Sequence, residues 1–146
     1  MVFLGCVEML AYGSIIAEIF GSGVCTMRRV LIVMQQDDCL LYALRKTLER
    51  DYEVIAADAA EGGKFLKQQP DALILDLFLD ETDGLTFLRQ NRESLPAAVI
   101  VMSVYVNSDI LDALAELGVS RVIRMPCTVS EVVTQLDKVL SSPAPN

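Results

Sequence analysis

The residue best placed to do chemistry is Asp76, which closes the aliphatic run Ala-Leu-Ile-Leu of residues 72–75. A carboxylate at the carboxyl end of a strand can act as a nucleophile toward phosphorus, or it can simply cap nearby backbone amides. An acidic pair, Asp37 and Asp38, follows Gln35 and Gln36, and Ser103 ends a later aliphatic run. The chain contains no histidine, which removes Ser-His and Cys-His catalysis, histidine-ligated metals and a phosphohistidine carrier role. Cys6, Cys25, Cys39 and Cys127 are scattered without C-x-x-C or zinc-ligand spacing, and read as free thiols of a reducing cytoplasm. Residues 34–41 include no glycine, so the phosphate-cradling loop of a nucleotide-binding domain is missing. On these residues the chain reads as a non-enzyme.

The elements that must position Asp76 follow from periodicity. Residues 30–34 are a continuous aliphatic run, as expected for a strand covered on both faces. Asp37 or Asp38 can cap a helix over 39–50, with Leu41, Leu44 and Leu48 at helical spacing. A strand is predicted over 52–57, then a helix from a capping box at Asp58 and Glu61 to about Gln69, weakened by Gly62 and Gly63. After Pro70, the run 72–75 leads into Asp76, and a loop over 77–84 ends at Asp83-Gly84, a turn signature. A short helix (85–91), a strand (97–102) and a helix capped by Asn107 or Ser108 and stopped by Gly118 follow. The last strand spans 119–124. Beyond Pro126, Thr128 and Glu131 form a second capping box before the apolar stripe Val132, Val133, Leu136, Val139 and Leu140. Strands alternating with helices imply an α/β fold, a doubly wound parallel five-stranded sheet in three layers, α/β/α, with any site at the carboxyl ends of the strands.

With 146 residues, no internal repeat and just over half the chain apolar, the sequence fits one domain with a full core. A net charge of −8, with no basic run longer than Arg28-Arg29, argues against nucleic acid as a partner. Residues 1–26 are the irregular part. They are mostly apolar, yet Glu8 and Glu18 interrupt the run and no basic residue precedes it, unlike a signal peptide or a membrane span. Leu4, Val7, Leu10, Ala11, Ile15, Ile19 and Phe20 could share a helix face, interrupted by glycines. The segment reads as a docking helix, a membrane-surface helix or, the favoured reading, a translated leader ahead of a start at Met27. Residues 27–141 form the domain, and 142–146, with two prolines, a disordered tail.

The stretch from Pro70 through Asp76 to Asp83-Gly84-Leu85 resembles response-regulator receiver domains around their phosphoacceptor: a hydrophobic strand ending in Asp, a short loop, then an Asp-Gly pair. The likeness runs in register from Arg28 to Leu140. It implies the CheY-like, flavodoxin-like fold with strand order 2-1-3-4-5. It also implies Asp76 as the phosphoacceptor and Ser103 as the switch hydroxyl. Mg²⁺ would be held by an acidic pair, by Asp76 and by the Phe78 backbone carbonyl, and Pro126 would follow a cis peptide bond. Such chemistry needs a metal and a cation, because two anions must approach each other.

Several family positions are altered. The acidic pair falls on Gln35 and Gln36, the lysine position on Met125 and the aromatic switch on Val122. A glutamine carbonyl brings no charge to Mg²⁺, and a methionine cannot pair with phosphate and reads as an apolar filler. Asp37 and Asp38 could restore the acidic pair if the loop shifted, though they read first as helix caps. Arg124 adjoins Met125, but strand alternation points it to the opposite face. The resemblance therefore implies an atypical, single-domain, cytoplasmic receiver with at most weak Mg²⁺ binding. It would work by protein–protein contact through residues 108–140, with a histidine kinase, a downstream signalling protein or a second copy as partner. The alternatives are a conventional phosphorelay receiver phosphorylated on Asp76 and, third, a flavodoxin-like small-molecule-binding domain.

Overall fold

Every residue from Val30 to Val33 is fully buried, because the first strand runs through the middle of a sheet with helices on both faces. The computed structural model describes residues 27–35, 38–79 and 83–141. The N-terminal extension, Gln36, Asp37 and the expected tail at 142–146 lie outside the described residues. Five strands, β1 (Arg29–Val33), β2 (Glu53–Ala57), β3 (Ala72–Asp76), β4 (Ala98–Ser103) and β5 (Arg121–Arg124), pair in the order β2-β1-β3-β4-β5. All four pairings are parallel, as the alternation of strand and helix requires.

Side chains alternate between the faces. Ile32, Ile74, Ile100 and Ile123 pack under α1 (Cys39–Leu48) and α5 (Val129–Ser141). Leu31, Leu73, Leu75, Val99 and Val101 pack under α2 (Ala59–Leu66), α3 (Gly84–Gln90) and α4 (Ser108–Glu116). This two-sided burial explains why the strands read as unbroken aliphatic runs. Among the described residues, no helix is long and apolar enough to cross a membrane.

The expected caps form. Asp38 accepts from Leu40 N–H (2.7 Å), Asp58 from Glu61 N–H (2.9 Å) and Asn107, rather than Ser108, from Ile110 N–H (2.8 Å). Thr128 and Glu131 form a reciprocal box: Glu131 N–H donates to the Thr128 hydroxyl (3.1 Å) and Thr128 N–H to the Glu131 carboxylate (2.9 Å). α4 ends before Gly118, whose φ is +81°. α2 stops three residues short of the predicted Gln69, because the chain tightens there through Gln69 N–H to Leu66 O and turns left-handed at Gln69 (φ 59°) ahead of Pro70. Gly62 does not break α2. A Cβ there would lie 2.9 Å from both Phe87 and Val33, so the bare backbone lets α2 settle onto β1 and α3.

α5 is also tied to the amino-terminal edge of the sheet. Arg28 donates from Nη1 to the Leu140 carbonyl (2.7 Å), and the Tyr52 hydroxyl donates to Asp137 (2.6 Å). Burial and the adjacent Asp137 carboxylate push the Tyr52 phenol up to about 12.

Candidate functional site

Asp76 is the last residue of β3 and is only 9% exposed. Its Oδ1 accepts the backbone N–H of Phe78 (3.0 Å), and the next residue, Leu77, donates its N–H to Met102 O (2.9 Å), which holds the strand end against β4. Burial pushes the carboxyl above the usual aspartate range. The Phe78 amide partly opposes this, and the nearby charge of Asp38 adds to it.

The strand register identifies the neighbours. Asp76 is level with Met102 of β4, and because Val33 pairs with Leu75, Met34 lies one step on, at the level of Asp76. Met34 and Met102 are fully buried, and Met125 packs half-buried into the same cluster under α1 and α5. In the sheet order the carboxylate therefore lies between two thioethers, Met34 on the β1 side and Met102 on the β4 side. Sequence reasoning overlooked Met34 and Met102 as neighbours. Their signal was available, since the predicted runs at 30–34 and 97–102 both end in methionine and parallel strands keep those ends level.

The other expected residues are distributed as follows. Gln35 is half-buried, and its carbonyl accepts the Asp38 N–H (3.2 Å). Asp38 is occupied as the α1 cap. Arg124 is exposed, and alternation sets it on the face opposite the Met125 cluster, as predicted. Val122 is half-buried in the α2–α4 core. Met125-Pro126 is a cis peptide bond. Ser103 is fully buried one residue beyond Met102, and its carbonyl accepts the Met125 N–H (2.8 Å). Its hydroxyl donates to the Tyr105 carbonyl (2.6 Å) and accepts the Tyr105 N–H (3.2 Å), closing a turn in its own loop.

The loop after Asp76 is held by Asp83 and Gly84. Asp83 caps α3 through Thr86 N–H (2.7 Å), and Gly84 N–H donates to Leu77 O (2.7 Å). A Cβ on Gly84 would stand 2.8 Å from Leu77 Cα. Glycine is therefore required for this close approach as well as for the turn, a reason for the Asp-Gly pair that turn propensity alone did not supply. Phe78, bridged to Asp83, is set between these fixed points.

As a home for Mg²⁺, the described donors fit poorly. They comprise one buried carboxylate, a second used as a helix cap and the Phe78 carbonyl, beside three thioethers that suit soft metals and not a hard, oxygen-seeking ion. No group of three or more Cys, Asp or Glu able to hold a metal occurs among the described residues.

The model of the response regulator receiver domain family matches residues 30–137. The chain belongs to that family. As a receiver it takes part in two-component signalling. It is similar, at 35% identity over 115 residues, to the protein-glutamate methylesterase/protein-glutamine glutaminase of group 3 operon of Cereibacter sphaeroides, matching 73% of this chain and 31% of that one. It is 26% identical over 91 residues to a probable chemotaxis protein CheY of Rhizobium etli (60% and 70% of the two chains). The first curated relatives are longer proteins, of which this receiver spans between about a third and a half. The fold is shared with a CheY-like receiver domain protein of Methanospirillum hungatei (TM-score 0.71, 23% identity, covering 79% and 94%). It is shared too with the non-phosphorylated HemR receiver domain of Leptospira biflexa (TM-score 0.71, 24% identity, covering 82% and 98%).

Proposed function

We propose that residues 27–141 form an atypical receiver that is phosphorylated weakly or not at all on Asp76 and signals by protein–protein contact through residues 108–140. It would act in the cytoplasm, as a signalling module and not as an enzyme. The observation that carries this reading is the setting of Asp76: a buried carboxylate flanked by methionines, with Gln35 and Gln36 at the family's acidic-pair positions, Asp38 used as a helix cap and Met125 at the lysine position. Phosphoryl transfer to a carboxylate depends on electrostatic neutralisation, and losing one positioned partner costs about 10²–10³ in rate. The activity that gives the methylesterase relatives their name is not carried over, because the match covers only their receiver-sized portion.

A conventional phosphorelay receiver, taking its phosphoryl group from a histidine kinase, is the second reading. It is favoured by the retention of Asp76 at a strand end, with the Phe78 N–H on its carboxylate and Ser103 at the end of the neighbouring strand. Incubation with Mg²⁺ and a small phosphodonor, followed by mass spectrometry, separates the two. We expect little or no acyl phosphate, and a stoichiometric adduct that disappears in Asp76→Ala would establish the second reading instead.

A further inference from the structure

Two helices on opposite faces of the sheet carry complementary surfaces. α4 exposes Asp109, Leu111, Asp112, Ala115 and Glu116 and contains no Lys or Arg. Leu111 is 44% exposed, and in the preceding loop Val104 and Tyr105 are 62% and 57% exposed. The result is an apolar seat framed by carboxylates. Nearby cations offset it in part: Arg92 donates to the Glu116 carbonyl (3.2 Å), and Arg124 is exposed on the same side of the sheet.

α1 has the opposite character. Tyr42 and Lys46 lie one turn apart on one face, and the exposed Arg50 follows just past the helix end at Leu48. Tyr42 is 67% exposed with the Lys46 ammonium 5.7 Å from its ring centroid, and the neighbouring Arg45 shares Glu49 at 3.7 Å. In a chain of net charge −8, this is an aromatic ridge with a cationic flank.

We infer that the chain associates with a second copy of itself head to tail, the α4 face of one copy seated on the α1 ridge of the next. This rests on the proposal that residues 108–140 form a docking face, and it names the occupant. Both helices are crossovers between parallel strands, so they run in the same direction within one copy while lying on opposite faces. Copies stacked in the same orientation therefore bring α4 against α1 in parallel. In that alignment Ser108 and Asp112 of α4 fall opposite Tyr42 and Lys46 of α1. Lys46 meets Asp112, and Tyr42 falls at the end where Tyr105 and Leu111 are exposed. The two surfaces differ, so the contact is heterologous and extends into short open chains instead of closing as a two-fold dimer. Its ion pair is exposed, so salt weakens it.

Sedimentation velocity of the full chain at rising concentration, in low and high salt, provides the test, with Lys46→Glu, Asp112→Lys and the double variant. All these positions are exposed, so thermal melts should match the parent and exclude misfolding. We expect the parent to form salt-sensitive species larger than a dimer, each single variant to run as monomer, and the double variant, which reverses the ion pair, to regain association. A monomeric parent overturns the inference. So does loss in Asp112→Lys alone, although the α4 face then still docks something and the proposed function stands. Loss in Lys46→Glu alone overturns the inference and also removes its support for the 108–140 face.

Discussion

Asp76 and Asp83 sit at the two ends of one loop, and they have been treated differently. Asp83 keeps a complete set of partners: it caps α3, and Gly84 beside it packs its bare backbone against Leu77. Asp76 keeps its place at the strand end and one backbone amide, but its neighbours are methionines, and the second carboxylate serves α1. The residues that shape the loop are in place, whereas, on the proposed function, those that would neutralise an incoming phosphoryl group are replaced. Loop shape and phosphoryl chemistry thus rest on separate side chains at the two ends.

The largest effect should come from restoring charge at the Asp76 end. Met125→Lys supplies the missing cation, and we expect acyl-phosphate formation with Mg²⁺ and a small phosphodonor to rise on the order of 10²-fold, the usual worth of one positioned electrostatic group. An unchanged rate would mean that the metal side alone limits the reaction. At the other end, Gly84→Ala places a Cβ against Leu77 backbone and should destabilise by about 1–3 kcal/mol, read by denaturant unfolding. Wild-type stability in that variant would refute the close approach. Asp83→Ala removes only a cap and should cost about 1 kcal/mol in the same assay.

The smallest effect concerns Asp76 itself. Its carboxyl titrates above the ordinary range, chiefly through burial, so the folded chain holds that proton more tightly than the unfolded chain. Stability is then lost as pH rises from the ordinary aspartate range through the raised value. Asp76→Asn should raise the melting temperature at neutral pH by no more than about 1 kcal/mol's worth, the scale of a single substitution, and the gain should vanish in acid. A gain that persists in acid would assign the effect to packing instead of ionisation.

Much of this contrast was legible in the residues. Aliphatic runs located the strands, and the pairs Asp58/Glu61 and Thr128/Glu131 located helix starts, because both signals depend on contacts a few residues apart. The substitution of Met125 for lysine was also visible. What could not be read were contacts between distant segments. Met34 acquires meaning only when β1 is laid beside β3, and the need for glycine at position 84 appears only when Leu77 turns back toward it. Helix ends slipped where the chain tightened locally, as at Leu66, since Lys67, Gln68 and Gln69 are all good helix formers and only Pro70 marks a stop in the sequence.

The bond from Arg28 to the Leu140 carbonyl fixes where the backbone enters the domain and where it leaves. Entry precedes β1 and exit follows α5, and the guanidinium clasps the two side by side at the amino-terminal ends of the strands. The unit is therefore wired like a plug-in cassette: a short bridge from residue 141 to residue 27 could close it into a ring, and new ends could be opened in a surface loop without disturbing the core.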